Sequence, residues 1–466
     1  MGVLLAVIVF SVLVIIHEFG HFLLAKKNGI GVTEFSLGFG PRILSFKFHG
    51  TRYSWKLIPF GGSCAMVGNN IFEETLDDDS DEDDDSDNDS NADVKADNKE
   101  SKKDSKDKDD SFDITDEDSE SFNDKSVWAR ISVVLAGPMF NFLLALILAI
   151  VYISLEGYDK AEVTYVAEGY AAGQAGIEKG DEIIEYDGSD IVIFRDLWLH
   201  EYVNPLSDKA VDITVLRDGK KINKTINPTE RYSLGIMYAA DKTEAKVDIV
   251  SDSPVSKAGL KSEDIIININ GTEINSGEEL NKFFNKNPLT GDEVNVTVKR
   301  DEKEYEFKVV PEKAGYTLGW DVGIQKKVGP LKVLRYSFTE LRYDAQSVFM
   351  GLKMIFTGKG TKDSVSGPVG IAKIVGDSYE ATKDYGAYYV FLQIIYLMTI
   401  FSVNLGIVNL LPIPAVDGGR LLFLIIEAIR KKPVNQKVEA YVNLAFAIIL
   451  FGLMILVMIN DISKFF

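Results

Sequence analysis

The sequence predicts a polytopic α-helical membrane protein with four transmembrane helices, a membrane-associated β-hairpin region and two α+β domains outside the membrane. The first observation is that four apolar segments are long enough to cross a bilayer, which needs about 20 residues. The second is a run of alternating polar and apolar residues directly after the first segment. The third is an internal repeat between the second and third segments. The apolar segments are residues 3–25, 131–155, 389–411 and 441–459.

Basic residues at the ends of these segments predict the orientation of the chain. Cytoplasmic ends carry an excess of lysine and arginine, so the marked ends are expected to face the cytoplasm. Both termini and residues 156–383 are then expected to lie outside it, in a multi-pass protein of a cell membrane that contacts the lipid bilayer. The basic residues are Lys26, Lys27, Lys125, Arg130, Arg420, Arg430, Lys431, Lys432 and Lys437.

The first transmembrane segment, residues 1–30, carries His17, Glu18 and His21 in the pattern H-E-x-x-H. Ionisable side chains inside a membrane span are costly, which makes them candidates for function. On a helix both histidines lie on one face and can bind one metal ion, whereas Glu18 can reach a metal-bound water. A chance match is disfavoured because two of the chain's four histidines stand here, where charge is normally excluded. A secretory signal peptide is rejected, because its apolar core would be shorter.

Residues 31–72 are too apolar and aromatic for an ordinary loop. The sequences ILSFKF and TRYSWKLI alternate polar and apolar residues on the two sides of His49 and Gly50, which predicts a β-hairpin. Since it directly follows the H-E-x-x-H segment, the hairpin is expected to dip into the membrane beside the metal, with its backbone paired or buried in protein. His49 is predicted to be an exposed turn residue and not a ligand.

Most of the negative charge lies in residues 73–124. Residues 73–120 contain 24 acidic and six basic side chains, a net charge of −18 out of −20 for the chain. With almost no large apolar side chains, the segment is predicted to be a disordered cytoplasmic insertion. A solvated insertion is preferred over a regulatory or partner-binding tail.

Composition also excludes several classes of protein. There is no basic patch with interleaved aromatic residues, so nucleic acid is not expected as a partner. Cys64 is the only cysteine, which excludes an intrachain disulfide and a multi-thiol metal site.

The second transmembrane segment, within residues 125–156, contains Gly137, Pro138 and the polar residue Asn141. The Gly-Pro pair is expected to bend the helix. Small and polar residues of this kind are typical of close helix packing, and we interpret Asn141 in this way. A connection between Asn141 and the metal motif is the less favoured alternative.

The internal repeat consists of residues 163–188 and 247–274. Each copy reads as a strand, a short helix ending at Ala-Gly, an acidic residue that starts another strand, and an Asp-Gly or Asn-Gly turn. A helical stretch and a pair of strands follow each copy, which predicts domains at residues 160–240 and 241–328. Both copies resemble PDZ domains of the circularly permuted bacterial type, which bind extended segments by adding a strand in a groove. His200, on the helix of the first copy, is interpreted as structural.

Residues 329–384 are predicted to be an amphipathic helix and a linker. Residues 331–356 have the pattern of a helix that lies on the membrane surface. Residues 358–376, with SGPVGIA at their centre, are predicted to form a loop. The third and fourth transmembrane helices are then placed within residues 385–432 and 433–466.

The third apolar segment ends in NLLPIPAVDGG, residues 409–419. Pro412 and Pro414 must break the helix at membrane depth, which is tolerated around a buried site. Asp417 follows the break, at the expected depth of the two motif histidines. Two imidazoles and one carboxylate with one open position are the donor set of a catalytic zinc site. Without the H-E-x-x-H motif, a simple turn residue before Gly-Gly would be the preferred interpretation of Asp417.

The sequences HEFGH at 17–21 and NLLPIPAVDGG at 409–419, together with WARISVVLAGPMFN and the tandem PDZ-like repeat, resemble the site-2 protease family of intramembrane zinc metalloproteases. The resemblance covers nearly the whole chain, and the acidic segment is its one departure from the family pattern. It implies Zn²⁺ as the cofactor and Glu18 as the catalytic base. The implied zinc ligands are His17, His21 and Asp417, and the residues implied to hold the substrate backbone are Asn404 and Asn409.

The resemblance also implies an activity, which is cleavage within the transmembrane segment of single-pass membrane proteins such as an anti-sigma factor or a signal-peptide remnant. The implied location is a bacterial cell membrane, with the active site near the cytoplasmic face and the PDZ domains extracytoplasmic. A non-catalytic PDZ membrane scaffold is the alternative, and it predicts a damaged metal motif, whereas all four motif residues are intact. A metal transporter would need several polar spans and usually an inverted repeat, neither of which is found.

Overall fold

The structure is a computed structural model that describes residues 2–68, 120–240, 242–358 and 366–463. The chain divides into two compact units, one formed by Met1–Tyr152 with Glu340–Phe466 and the other by Ile153–Thr339.

Eleven α-helices and sixteen β-strands occur in the described part of the chain. The helices are α1 (Gly2–Lys27), α2 (Val127–Glu156), α3 (Ala171–Gln174), α4 (Phe194–Val203), α5 (Pro254–Ala258), α6 (Gly277–Lys286), α7 (Pro330–Phe356), α8 (Pro368–Thr382), α9 (Ala387–Leu410), α10 (Asp417–Arg430) and α11 (Gln436–Ser463). The strands are β1 (Val32–Phe48), β2 (Thr51–Met66), β3 (Tyr158–Val166), β4 (Glu182–Tyr186), β5 (Ser189–Asp190), β6 (Val211–Arg217), β7 (Lys220–Ile226), β8 (Thr229–Ser233), β9 (Ile236–Tyr238), β10 (Val247–Ile249), β11 (Ile265–Ile269), β12 (Thr272–Glu273), β13 (Val294–Arg300), β14 (Lys303–Val309), β15 (Glu312–Thr317) and β16 (Trp320–Lys326).

The four predicted spans are confirmed as helices. By length and composition, α1, α2, α9 and α11 can cross a membrane. Lys26 and Lys27 stand in the last turn of α1, where positive charge favours the helix dipole. Pro138 lies inside α2 and does not end it. The orientation of these helices in a membrane stays a prediction.

Residues 73–119 of the acidic insertion predicted at 73–124 lie outside the described residues. The described chain resumes at Glu120, ahead of the predicted boundary at 124. Glu120 forms a β-bridge with Ile30, and the buried Phe122 packs in a cluster with Ala25 and Ile30 at the end of α1. A single buried aromatic residue therefore anchors the chain ahead of α2.

The predicted hairpin after α1 is confirmed, but it folds into a wider sheet. The turn falls at His49, which is exposed and has a φ of 45°, so His49 is a turn residue as predicted. Each strand pairs twice, so that Ser36 of β1 lies between Ser54 and Ser63 of β2. The sheet therefore has the order 42–48, 51–56, 32–37, 62–66. No other strand in the described part of the chain pairs with residues 62–66, which leaves this segment as an edge.

The loop predicted at residues 358–376 is in part a helix. Pro368 occupies the first turn of α8, where its fixed φ suits the helix. The carboxylate of Asp461 in α11 accepts hydrogen bonds from the backbone N–H groups of Gly367 (2.8 Å) and Gly370 (2.7 Å). A cap supplied from a residue about 90 positions away leaves no local sequence pattern, which is why the helix was missed. The helix predicted at 331–356 is confirmed as α7.

The second unit contains two hydrophobic cores with the predicted order of elements in each repeat. Each core has a strand, a short helix, another strand, a longer helix and a final strand pair. The predicted boundary between the two domains, however, is wrong. Leu318 and β16 complete the first core, and β16 pairs with β3. Leu234 and β9 belong to the second core. The second core is therefore inserted into the first, and β8 and β15 pair where the chain enters and leaves it.

The acidic residue in each repeat is a buried ion-pair partner. Asp181 and Asp264 are each 1% exposed. Asp181 accepts two hydrogen bonds of 2.7 Å from Arg217, and Asp264 accepts two of 2.6 Å from Arg300. Each pair spans 36 residues, so the two repeats share this contact. Burial would raise the pKa of Asp181, but the hydrogen bonds and charge of Arg217 outweigh it, and the pKa is lowered.

This pair predicts a pH-dependent stability. At neutral pH, Asp181→Asn should lower the free energy of unfolding of the second unit by roughly 2 kcal/mol, because hydrogen bonds to charged groups each contribute about 1.5–3 kcal/mol. Since the folded-state pKa of Asp181 is lowered, the stabilisation is complete above its unfolded-state pKa of about 3.9. It is lost as the pH falls through the folded-state pKa.

The measurement is the urea midpoint of the full chain, followed by tryptophan fluorescence, for wild type and Asp181→Asn across this pH range. The difference should shrink at acidic pH. Asp208→Asn, a substitution at an exposed aspartate of the same unit, should change the midpoint little at any pH. A difference that stays constant from neutral to strongly acidic pH would contradict the assignment.

Candidate metal centre

Helix α1 brings the two motif histidines together. His17 and His21 stand one helical turn apart and are 7% and 8% exposed. Their Nε2 atoms are 3.2 Å apart. The helix therefore presents two imidazole nitrogens at one buried point, as the four-residue spacing predicts.

Asp417 reaches the same point from the opposite side. Helix α9 ends at Leu410, and α10 begins at Asp417 after a break that contains both prolines. The following glycines allow the chain to fold back closely. A Cβ at Gly418 would lie 2.0 Å from the carbonyl oxygen of Leu411, and one at Gly419 would lie 2.4 Å from that of Ile413. The Gly-Gly pair thus lets the chain fold back at Asp417. The role of Asp417 as a metal ligand stays a prediction.

Three potential ligand atoms meet here. The Oδ2 atom of Asp417 lies 3.0 Å from His17 Nε2 and 3.2 Å from His21 Nε2. This oxygen is buried and accepts no hydrogen bond of regular geometry. Ligands placed about 2.0–2.2 Å from a tetrahedral zinc ion are separated by about 3.3 Å. The triangle therefore fits one such ion, and it is the one group of this kind in the described residues.

Residues of helix α2 contact the Nδ1 atoms of both imidazoles. His21 Nδ1 lies 2.9 Å from the carbonyl oxygen of Val133 and donates to it, which leaves the lone pair of His21 on Nε2. The side chain of Asn141 lies 3.1 Å from His17 Nδ1. The interpretation of Asn141 as a helix-packing residue alone was therefore wrong, because the less favoured connection to the metal motif is present. Helix α2 is close enough because Gly20 and Gly137 lack side chains.

A cavity of about 280 Å³ is lined by two of the three potential ligands, His17 and Asp417. Glu18 lines it together with Asn409, while Asn404 is not among its lining residues in the described chain. Gly62 of the edge segment also lines it, and a Cβ there would lie 3.1 Å from Cγ of Glu18. The remaining polar residue of the cavity is Arg420. The cavity thus brings a carboxylate, an amide, a cation and a strand edge to the ligand triangle.

The comparison with known families identifies the chain. The model of peptidase family M50 matches residues 5–453. The chain belongs to this family. It is a zinc metalloprotease of the site-2 type, and the family assignment made from its motifs is confirmed.

Three relatives of this chain align with it over nearly its whole length. The regulator of sigma-W protease RasP of Bacillus subtilis is 29% identical over 472 residues, which covers 99% of this chain and 98% of the relative. Zinc metalloprotease RasP of Geobacillus kaustophilus is 30% identical over 471 residues, with 99% and 97% covered. A putative zinc metalloprotease of Staphylococcus aureus is 28% identical over 501 residues, with the same coverage.

Several site residues of the M50 protein were missed by sequence reasoning. Arg420 was used only as an indicator of orientation, although it stands three residues after Asp417 and so lies close to it on α10. Gly62 carried no signal at all, because its role depends on how β2 meets α1. Gly137 was noted only as part of a helix bend, whereas a Cβ on it would lie 2.3 Å from His21 Nε2.

Proposed function

We propose that the chain uses Zn²⁺ bound by His17, His21 and Asp417 to hydrolyse a peptide bond within the transmembrane segment of single-pass membrane proteins. The observation that carries the proposal is the triangle formed by two imidazoles of α1, a helix that can cross a membrane, and the carboxylate of Asp417 at the start of α10. Glu18 lines the same cavity as His17 and Asp417, and this cavity is proposed to receive the open coordination position. Two histidines and a carboxylate with an open position are a catalytic and not a structural zinc set.

The residues of the chain divide the chemistry between them. When bound, zinc lowers the pKa of a water ligand to about 7 and polarises a peptide carbonyl. Glu18 accepts the proton of the attacking water and then delivers it to the leaving nitrogen. Glu18 is suited to this role because it stands next to His17 and faces the cavity, while its neighbours in the motif face the ligand triangle.

The edge of the sheet is proposed to hold the substrate. A transmembrane helix protects its peptide bonds in its own hydrogen bonding, so it must unwind before cleavage. The segment 62–66 offers an edge to which an unwound segment can add as a strand. Gly61 and Gly62 bring this edge to the cavity. Asn409, on the other wall, is proposed to hold a substrate carbonyl. The same role for Asn404 stays a prediction from the resemblance.

The substrate class follows from a relative and from the second unit. A relative is named regulator of sigma-W protease, which supports a single-pass anti-sigma factor as a substrate; a signal-peptide remnant has the same chemistry. The two cores of the second unit are proposed to be PDZ domains outside the cytoplasm that filter out substrates not yet trimmed. The basic residues at the segment ends support a position of the active site near the cytoplasmic face of a bacterial cell membrane.

The test compares cells that carry wild-type protein with cells that carry Glu18→Gln. Single-pass fragments already trimmed outside the membrane should accumulate only with Glu18→Gln, since removal of a general base costs about 10²–10⁴-fold in rate. Glu380→Gln, at an exposed glutamate on α8 (61% exposed side chain), should behave as wild type. The purified wild-type protein in vesicles should cut such a fragment inside its apolar segment. Equal fragment levels in all three strains would overturn the proposal.

A further inference from the structure

We propose that Asn141 is a positioning residue for the metal site, which accepts the Nδ1–H of His17 through Oδ1 and thereby holds the lone pair of His17 on Nε2. The inference rests on the proposed zinc function, since it concerns how the chain prepares His17 to bind the ion. On this proposal, helix α2 supplies no ligand but orients the imidazoles of both His17 and His21.

The first support is the position of the amide. Asn141 is fully buried, at 0% exposure, inside a helix that is apolar throughout this stretch. Its amide lies 3.1 Å from His17 Nδ1, on the side of the ring opposite to Asp417. The amide therefore contacts the nitrogen of His17 that does not face the ligand triangle.

The second support is the tautomer of His17 that metal binding requires. With the nitrogen of Asn141 facing His17, its Oδ1 atom is buried without a hydrogen-bond partner. In that orientation the amide donates, so His17 Nδ1 must accept and the ring proton must stand on Nε2. That proton would occupy the place where a metal ion binds. A half-turn of the amide exchanges nitrogen and oxygen, so that Oδ1 gains a donor and Nε2 is freed.

The third support is the parallel with His21. The carbonyl oxygen of Val133 accepts the Nδ1–H of His21 at 2.9 Å. After the half-turn, α2 provides an oxygen acceptor to each histidine, one from its backbone and one from Asn141. Metal-binding histidines almost always donate their second N–H to such an acceptor, and this fixes both the tautomer and the ring orientation.

The backbone around Asn141 is also fixed. Ser402 of α9 donates from Oγ to the carbonyl oxygen of Asn141, at 2.7 Å, and is itself fully buried. This contact joins Asn141 to α9, whereas its amide contacts His17 of α1. It therefore offers a matched control, because Ser402→Ala weakens the helix contact and leaves the amide of Asn141 in place.

The test uses Asn141→Asp, Asn141→Leu and Ser402→Ala in the full-length protein. In its ionised form aspartate keeps the acceptor and cannot donate, whereas leucine is similar in size and does neither. Zinc affinity is measured by competition with a chelator, and the Co²⁺-loaded proteins are compared by their visible absorption spectra. Asn141→Leu should weaken zinc binding about 10–100-fold, the range for lost outer contacts of a metal ligand, and should change the Co²⁺ spectrum. Asn141→Asp and Ser402→Ala should bind zinc as wild type does.

Two results would overturn the inference. If Asn141→Asp binds zinc as weakly as Asn141→Leu, the amide acts as a donor or through packing. If Asn141→Leu binds zinc normally, the contact has no role. Unfolding of the metal-free proteins measures the stability of the fold separately. If Asn141→Leu does not fold, the zinc affinity of Asn141→Asp, compared with that of Ser402→Ala, tests the inference. Failure of wild-type protein to bind zinc would instead overturn the proposed function itself.

Discussion

Replacing Asp417 with asparagine should release zinc and abolish peptide hydrolysis while the fold is kept. Asp417 contributes the one negative charge among the three ligand atoms, and its Oδ2 lies within 3.2 Å of both imidazole nitrogens. Loss of an outer contact costs about 10–100-fold in metal affinity, and loss of a charged ligand should exceed that range. The fold should persist because asparagine has the same shape and its amide can donate to an imidazole nitrogen.

The measurement for Asp417→Asn is the zinc content of the purified protein after dialysis, together with cleavage of a trimmed single-pass substrate. Asp377→Asn is the matched control. Asp377 lies on α8, is 68% exposed and pairs with Lys373 at 3.2 Å, so its loss should leave both quantities unchanged. An Asp417→Asn protein that retains wild-type zinc would show that Asp417 is not a ligand.

Replacing Gly137 with alanine should also destroy the metal site, although Gly137 is not itself a ligand. A Cβ at this position would lie 2.3 Å from His21 Nε2 and 2.8 Å from His17 Cε1, so both rings must move. Displacement of a reacting group by about 1 Å can cost about 100-fold in rate, and here two proposed ligands are displaced. Helix propensity acts in the opposite direction, since alanine is better than glycine by about 1 kcal/mol in a helix.

Zinc affinity and cleavage should therefore fall together in Gly137→Ala, with helical content unchanged by circular dichroism. Gly351→Ala on α7 is the control, because a Cβ there meets no atom within 4 Å. It should keep activity and raise stability slightly. Wild-type zinc affinity in Gly137→Ala would mean that the helices separate to admit the methyl group, and the close approach of α2 to the motif would then be of no consequence.

The site residues that could be predicted from the sequence are those with ionisable side chains in apolar segments. His17, His21 and Asp417 stand out because such groups are rare at membrane depth, and their spacing and donor chemistry suggest a metal. The four long helices could be predicted because their apolar segments are long enough to cross a bilayer. The break before Asp417 was predictable because proline cannot continue a helix.

The remaining features depend on contacts between distant parts of the chain. The contact between Asn141 and His17 was not favoured because a polar residue in a membrane helix is usually explained by packing. That contact depends on the tertiary structure, which the local sequence does not show. Helix α8 was missed because its cap comes from Asp461, far along the sequence. The domain boundary was wrong because a repeat in sequence shows which elements recur and does not show which core a strand joins.

The insertion of one core into the other has a consequence for biosynthesis. Domains tend to fold as units while the chain emerges from the ribosome. The inner core can close once Val309 has emerged, because its last strand ends there. The outer core begins earlier, at Tyr158, but must wait for Lys326 to complete its sheet. The outer core is therefore completed after the inner one although it begins first, and the edge of β3 that pairs with β16 must stay unpaired until the inner core has been synthesised.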